Sequence, residues 1–412
     1  MKFLHTADWH IGQLFHEYDR TYEHQQFLNW LVETIQIEKI DVLLVSGDVF
    51  DLSNPSAQAI KMFYRFLNEA VKKSPDLQIV VIAGNHDSAA RLEAPKPLLE
   101  SSNIHIVGVI EKDVEGQILY DKLLVRLKGK ATEKDIICLA VPFVRLGEYP
   151  SVQGSKNPYT DGIIALYHEL YNRACNVRTE DEQMIAMGHL HALHAEITDM
   201  DNTERTIMGG VEGVPASAFH EDIKYVALGH IHKAQAIGGK EHIRYSGSPI
   251  PLSFSEHKYT HQVALFDLDD NGMSALRALE VPVSIPLVRI PEHPKSLEEV
   301  IQILENYDDS NISEHLMPYL EVRVLLNGPE PALKHRLEKA LDAKKLKLVK
   351  IDTKYPGSKS KDTEFKSDLG LKEMKPMELF QRVYQSKYQQ EVPEELIKLF
   401  SEIEQTISQK EL

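Results

Sequence analysis

The alternation of apolar and polar positions divides the first part of the chain into short, wholly apolar runs separated by helical stretches. Ile40 to Asp51, IDVLLVSGDVFD, is the run on which the rest is arranged. Val42 to Val45 predicts a buried strand, a glycine turn follows, and two acids, Asp48 and Asp51, stand just past its end. Lys2 to Thr6 predicts a strand of the same kind, ending at Asp8 and His10. Phe27, Leu28, Leu31, Val32 and Ile35 recur at the spacing of one helical face, and after Pro55 so do Ile60, Phe63, Phe66, Leu67 and Val71. Gln78 to Ala83 is the next apolar run, and it ends in Gly84, Asn85, His86 and Asp87. Strand, helix, strand, helix, strand implies an α/β protein with a mostly parallel buried sheet.

Two later segments resemble each other. EQMIAMGHLH, Glu182 to His191, and IKYVALGHIH, Ile223 to His232, each read as an apolar strand followed by Gly, His, an apolar residue and His. Between them the glycine-rich Met208 to Pro215 lacks the Lys and Ser/Thr of a phosphate-binding loop and reads as an ordinary loop. After Pro282 the texture changes to strand Leu287 to Ile290, helix from Ser296, strand Leu320 to Leu326, helix from Pro331 and strand Leu346 to Ile351. Ser296 with Glu299 forms a capping box at the first of those helices. This is the pattern of a small separate α/β domain. YPGSKSK, Tyr355 to Lys361, reads as a linker by composition. Beyond it two amphipathic helices are expected, one with Met377, Phe380, Val383 and Tyr384, the other with Leu396, Leu399, Phe400, Ile403 and Ile407. Such stripes, with little local core to cover, either fold back on the main body or dock on another protein's helices, and docking on a partner is the favoured expectation. The expected division is 1–280, 281–355, a linker 356–375 and a helical tail 376–412.

Charge narrows the function. With 46 basic against 62 acidic residues the net charge is −16, so the chain does not bind a polyanion simply by being basic. Metal ions or local features must supply the attraction. One such feature is Leu333 to Lys361, with ten Lys or Arg against three Asp or Glu. Cys138 and Cys175 form no CxxC pair and exclude a disulfide framework or thiolate zinc site. No apolar run approaches a membrane span, and MKFLHTADWH is too short and too soon polar for a signal peptide, so a reducing cytoplasm is the expected setting.

In an open α/β sheet ligands gather where strands end, because helices cover the faces. Collected there are Asp8, His10, Asp48, Asp51, Asn85, His86, Asp87, His189, His230 and His232. One His at a strand end is ordinarily a hydrogen-bonded structural residue. Five such ends, expected in one sheet, read instead as a metal site. Imidazole mixed with carboxylate, without thiolate, suits manganese, iron or zinc better than calcium or magnesium. Two ions ~3.5–4 Å apart need a shared ligand, and Asp48 is the natural bridge. His86, with Asp87 beside it, fits the proton donor for a leaving oxygen.

DxH, GDxxD, GNHD, GH and GHxH in that order resemble the signature of the calcineurin-like metallophosphoesterases. TADWHIG, GDVFD, GNHDS, ALGHIHKAQ and YSGSP further resemble bacterial nuclease subunits of that superfamily, relatives of the archaeal and eukaryotic double-strand-break repair nuclease. The resemblance covers the full length. It implies two central sheets flanked by helices, a capping domain, and a C-terminal helical tail that grips an SMC-like ATPase. It implies one metal on Asp8, His10, Asp48 and His232, another on Asp48, Asn85, His189 and His230, with manganese as the metal. His86 becomes the proton donor and Asp51 an accessory residue near the metals. GHLHALH, Gly188 to His194, leaves His191 and His194 as alternatives to His189. The implied activity is exonuclease on duplex DNA ends and endonuclease on single strands or hairpins, by a homodimer within a heterotetramer. Arg20, Arg91 and Lys233 are candidate DNA contacts by closeness to the motifs. The competing readings are a phosphoesterase acting on phosphoproteins or small phosphate esters, and a tethering scaffold without catalysis.

Overall fold

A computed structural model of the chain describes residues 1–130, 133–196, 213–270 and 272–356, with Phe380, Gln381, Tyr384, Gln385, Val392, Pro393, Leu396, Ile397 and Phe400. The linker and most of the tail expected from the sequence, including Met377, Val383, Leu399, Ile403 and Ile407, lie outside the described residues. So does most of the glycine-rich loop before Pro215.

The predicted strands Lys2–Thr6, Val42–Ser46 and Gln78–Ile82 lie side by side, joined by Ile104–Val107, and all four run parallel. Gln262–Asp269 and Gly272–Glu280 extend that sheet antiparallel on its other edge. The central strands are buried end to end because both faces are covered, which is why their sequences run apolar instead of alternating. Successive side chains take opposite faces. Leu43 and Val45 meet helices Thr21–Glu38 and Ala57–Lys73 through Phe27, Leu31, Phe63 and Phe66. Val42 and Leu44 face the other way, into the core shared with a second sheet.

That second sheet holds Ile136–Ala140, Gln183–His189, Ile223–Gly229 and Lys240–Tyr245 in parallel, with Leu124–Leu127 and Gln235–Ile237 antiparallel at its edges. Helix Pro158–Val177 packs Ile163, Leu166, Tyr167 and Leu170 into its core. The two resembling segments are therefore adjacent strands, Gly188 beside Leu228 and His189 beside Gly229. The result is a two-sheet sandwich with helices outside and the motif-bearing strand ends gathered at one edge.

The chain divides into two compact units, Met1–Leu287 and Val288–Leu412. In the second, strands Leu287–Ser296, Tyr319–Leu325 and Lys347–Lys354 form one sheet. Helices Leu297–Glu305 and Leu333–Leu341 cover one face of it through Val300, Leu304 and Leu337 on Leu320, Val322 and Val324. Ser296 and Glu299 form the capping box. No helix among the described residues is long and apolar enough to cross a membrane.

Candidate metal centre

The strand ends leave the regular backbone abruptly. Asp8, His10, Asp48 and His230 take φ of 55°, 46°, 48° and 103°, conformations in which side chains other than glycine are strained. Strain of this kind costs on the order of 1–3 kcal/mol per residue and persists only where the surroundings impose it. Two glycines let the turns close: a Cβ on Gly84 would stand 2.1 Å from Asp48 Oδ1, and one on Gly229 would stand 1.9 Å from Ser46 O.

Asp48 sits between two histidines. Its Oδ2 lies 3.5 Å from His10 Nε2 and 3.4 Å from His189 Nε2, while Oδ1 accepts the His86 backbone N–H at 2.9 Å. Asn85 Oδ1 lies 2.9 Å from His189 Nε2 and 3.0 Å from His230 Nδ1. Asp8 accepts the His230 backbone N–H at 3.0 Å. Three overlapping sets result, Asp8 with His10 and His232, Asp8 with Asp48 and His189, and His10 with Asp48 and His86, each with its donor atoms within 4.8 Å of one another. The donors fit divalent cations: Asp8, His10, Asp48 and His189 are buried, with His86 and His232 half-buried, and the sets mix imidazole with carboxylate and contain no thiolate. Their sharing of Asp8, Asp48 and His10 suits two ions better than one.

The electrostatics already show the pull. Burial opposes charge on Asp48, but His189, His10 and His86 outweigh it and hold the carboxyl well below its ordinary range. Burial likewise opposes a proton on His189, yet Asp48 and Asp8 raise it to about 9. Burial, reinforced by His189, lowers His230 to about 3 and keeps it neutral. Cations and protons compete for such donors, so metal binding releases the protons held there.

Other residues orient these. Asp51 Oδ1 lies 3.2 Å from His10 Nδ1, and its backbone carbonyl accepts from His86 Nδ1 at 2.7 Å. His189 Nδ1 donates to Ser46 O at 2.8 Å, and His232 Nδ1 to Glu256 Oε1 at 2.9 Å. Each of these contacts fixes which ring nitrogen is left for a metal or substrate. His191 and His194 join none of the three sets, whereas His189 meets both Asp48 and Asn85.

A family model described as calcineurin-like phosphoesterase matches residues 1–234, and one described as type 5 capsule protein repressor C-terminal domain matches 283–388. A Rhodobacter capsulatus protein named as the SbcD subunit of the nuclease SbcCD is 35% identical, over 86% of this chain and 88% of its own length. The Escherichia coli K12 protein of that name is 33% identical over 79% of this chain and 78% of its own. The Bacillus subtilis 168 one is 30% identical over 100% of both. The chain belongs to the SbcD family of calcineurin-like phosphoesterases. Membership makes it a metal-dependent phosphoesterase, and the relatives bear the names of nuclease subunits.

Two sequence expectations are corrected. Arg20 is not a surface contact for DNA: it is 1% exposed, and its guanidinium is spent on Glu23, on Gln13 Oε1 at 2.9 Å and on Pro251 O at 2.6 Å. Asp87 is not a partner of the His86 ring. It is buried, and its two oxygens accept the N–H groups of Gly84 (2.8 Å), Phe50 (2.9 Å) and Val49 (3.1 Å), tying the two motif turns together. Burial, and then Asp48, raise its carboxyl to about 6 despite those bonds.

Of the other candidates, Arg91 is exposed and donates to Asn54, while Lys233 is paired with Glu196. In the basic stretch Lys350 pairs with Glu321, Arg336 with Glu298, and Lys344 and Lys345 donate to the carbonyls of Tyr307 and Ile312. Much of that charge is used inside the domain. Residues absent from the sequence reading also appear: Glu256, which has no motif spacing to His232, and Arg145, which donates to Asp87 O at 3.3 Å.

Proposed function

We propose that the chain is the nuclease subunit of an SbcCD-type complex, a manganese-dependent phosphodiesterase that processes DNA ends in repair, recombination and replication. One ion would be held by Asp8, His10, Asp48 and His232, the other by Asp48, Asn85, His189 and His230. The observation that carries the reading is Asp48, which stands with one carboxylate oxygen about equally far from His10 and His189 and so joins the two halves. When bound, the ion pair clamps the phosphate, supplies hydroxide near neutral pH and offsets charge in the transition state.

The chain's own residues do the rest. The Asp51 carbonyl only accepts, so His86 Nδ1 carries a hydrogen toward it and Nε2 remains for the substrate. As the phosphorus–oxygen bond breaks, His86 acts as the doubly protonated ring: it gives its Nε2 proton to the leaving oxygen and keeps the hydrogen on Nδ1. It is reprotonated by the proton that the attacking water releases, so that one phosphodiester and one water yield an alcohol and a phosphomonoester. Asp51 acts on both sides of this step, orienting His10 with its carboxylate and His86 with its carbonyl. Asp87 holds the two turns in register and touches no substrate.

The partner is an SbcC-type SMC-like ATPase gripped by the C-terminal tail, in a heterotetramer built on a homodimer of this chain, in the cytoplasm. Duplex ends would be substrates for exonuclease action, and single strands and hairpins for endonuclease action. The test is cleavage of a labelled linear duplex with manganese, with and without the ATPase, beside Asp48→Ala and His86→Ala. Cleavage by the wild-type chain alone supports the reading. Hydrolysis of a small chromogenic phosphate ester without any cleavage of DNA would instead favour the small-ester phosphatase.

A further inference from the structure

Arg145 stands beside the metal centre with its charge uncommitted. Its guanidinium lies over the Phe143 ring, Cζ 5.6 Å from the centroid, and Phe143 meets the His189 ring edge-on with centroids 6.2 Å apart. One of its five N–H donors is used, by Asp87 O. The nearby acid of its own loop, Glu148, is turned instead to the Arg145 backbone N–H at 2.8 Å. Among the described residues every arginine except Arg91, Arg145 and Arg178 has a carboxylate within ion-pair distance. Arg178 caps the end of helix Pro158–Val177, where the helix dipole accounts for a cation. The other two flank the turn that carries Asn85 and His86. Arg91 reaches Asn54, just past Asp51, on the His86 side, and Arg145 lies on the His189 side.

In a chain of net charge −16, these two guanidiniums, each without a carboxylate partner, are placed to meet an anion beside this turn. Guanidinium matches phosphate oxygens in a planar, two-pronged geometry, and stacking on an aromatic ring keeps the plane fixed while leaving the N–H edge free. A strand whose scissile phosphodiester lies over the metal ligands must carry neighbouring phosphates to either side of the Gly84–Asp87 turn.

We propose that Arg145, backed by Phe143, binds a backbone phosphate of the nucleic-acid strand on the His189 side of the scissile bond, with Arg91 taking one on the His86 side. This rests on the nuclease reading above. The competing role for Arg145 is purely internal, a staple between its loop and the Asp87 carbonyl.

Salt dependence separates the two. In the full-length chain carrying His86→Ala, so that bound strand is not cut, the dissociation constant for a labelled single-stranded oligonucleotide is measured across a salt series with manganese present. Each phosphate contact contributes ~0.7 to the slope of log K against log salt for single strands. Adding Arg145→Met should weaken binding and lower the slope by about that amount, Arg145→Lys should keep the slope, and Arg91→Met should lower it independently. Weaker binding by Arg145→Met with the slope unchanged would leave only the staple, and the same loss of slope in Arg145→Lys would point to a disturbed loop; either overturns the proposal. Absence of oligonucleotide binding by the His86→Ala parent would overturn the nuclease reading itself.

Discussion

The buried Glu256 carboxylate pairs with the half-buried His232 imidazole, Oε1 to Nδ1 at 2.9 Å, while the acid's second oxygen accepts Ser248 Oγ–H at 3.2 Å and the Leu252 N–H at 2.9 Å. Burial disfavours the Glu256 charge, but His232 and these donors prevail and hold the carboxyl below its ordinary range. An ionised carboxylate only accepts, so His232 carries its hydrogen on Nδ1 and offers the Nε2 lone pair to a metal.

From this pair we expect Glu256→Gln and Glu256→Ala to weaken one of two manganese sites. The glutamine's amide would set an N–H₂ against the Leu252 N–H or lose its hold on His232. Loss of an outer partner of this kind typically costs 10–100-fold in metal affinity. Titration calorimetry on the metal-free protein reads it directly. Two sites of wild-type affinity in both variants would show that His232 needs no such support.

Asp87 makes a different prediction. Its removal leaves three buried N–H groups, those of Val49, Phe50 and Gly84, without an acceptor. An unsatisfied buried donor costs on the order of 1–3 kcal/mol, so Asp87→Ala should lower stability by several kcal/mol, measured by urea unfolding of the chelated protein. Metal affinity should fall at both sites together, because Asp48 and Asn85 ride on the turns that Asp87 joins. A stable Asp87→Ala protein that binds two ions but has lost turnover would return Asp87 to a chemical role.

The contrast between these two acids shows what could be read in advance. The central strands were legible because doubly covered strands run apolar, and four of the candidate ligands stood out because Gly-Asp, Gly-Asn or Gly-His follows the strand directly, at Asp48, Asn85, His189 and His230. Asp87 is one residue from His86, yet its oxygens bond amides on another turn, a relation only tertiary structure creates. Glu256, at the end of the short 3-10 helix Phe254–Glu256, and Arg145, in a loop, meet residues of the centre from segments without a motif, for the same reason. Arg20 misled in the opposite direction: its neighbourhood in sequence suggested a surface contact, whereas Glu23, one helical turn on, neutralises it inside the fold. The antiparallel strands Gln262–Asp269 and Gly272–Glu280 end at no ligand and announce nothing chemical.

For the tail, Phe380 and Phe400 stack with centroids 4.5 Å apart and planes 13° from parallel, so the two apolar stripes meet at these residues. If the remaining apolar side chains dock on the ATPase, changing Phe400 and Ile403 to Asp should abolish co-purification with it while metal-supported cleavage by the isolated chain persists. Retained co-purification would place the partner surface elsewhere. A loss of cleavage together with the complex would mean that the tail supports the fold.

The last prediction concerns acid stability and lies away from the ligands. His5 is fully buried, with Nδ1 3.0 Å from the Tyr225 hydroxyl across the two sheets. Burial, helped by Arg244, lowers its folded pKa to about 3, against an ordinary value of 6.5. The unfolded chain therefore binds a proton below pH 6.5 that the folded chain refuses. The His5 contribution is fully present above pH 6.5 and declines as pH falls toward 3, by ~1.4 kcal/mol per unit, or ~2 kcal/mol between pH 6.5 and 5. His189 in the metal-free protein works with the opposite sign and in another window: its folded pKa of about 9 gives stability present below 6.5 and lost as pH rises through 9. His5→Gln, which cannot titrate and can still meet Tyr225, should thus flatten the acid side alone. Urea midpoints of both chelated proteins from pH 5 to 7.5 test this, and parallel curves would mean that His5 takes its proton in the folded state as readily as in the unfolded one.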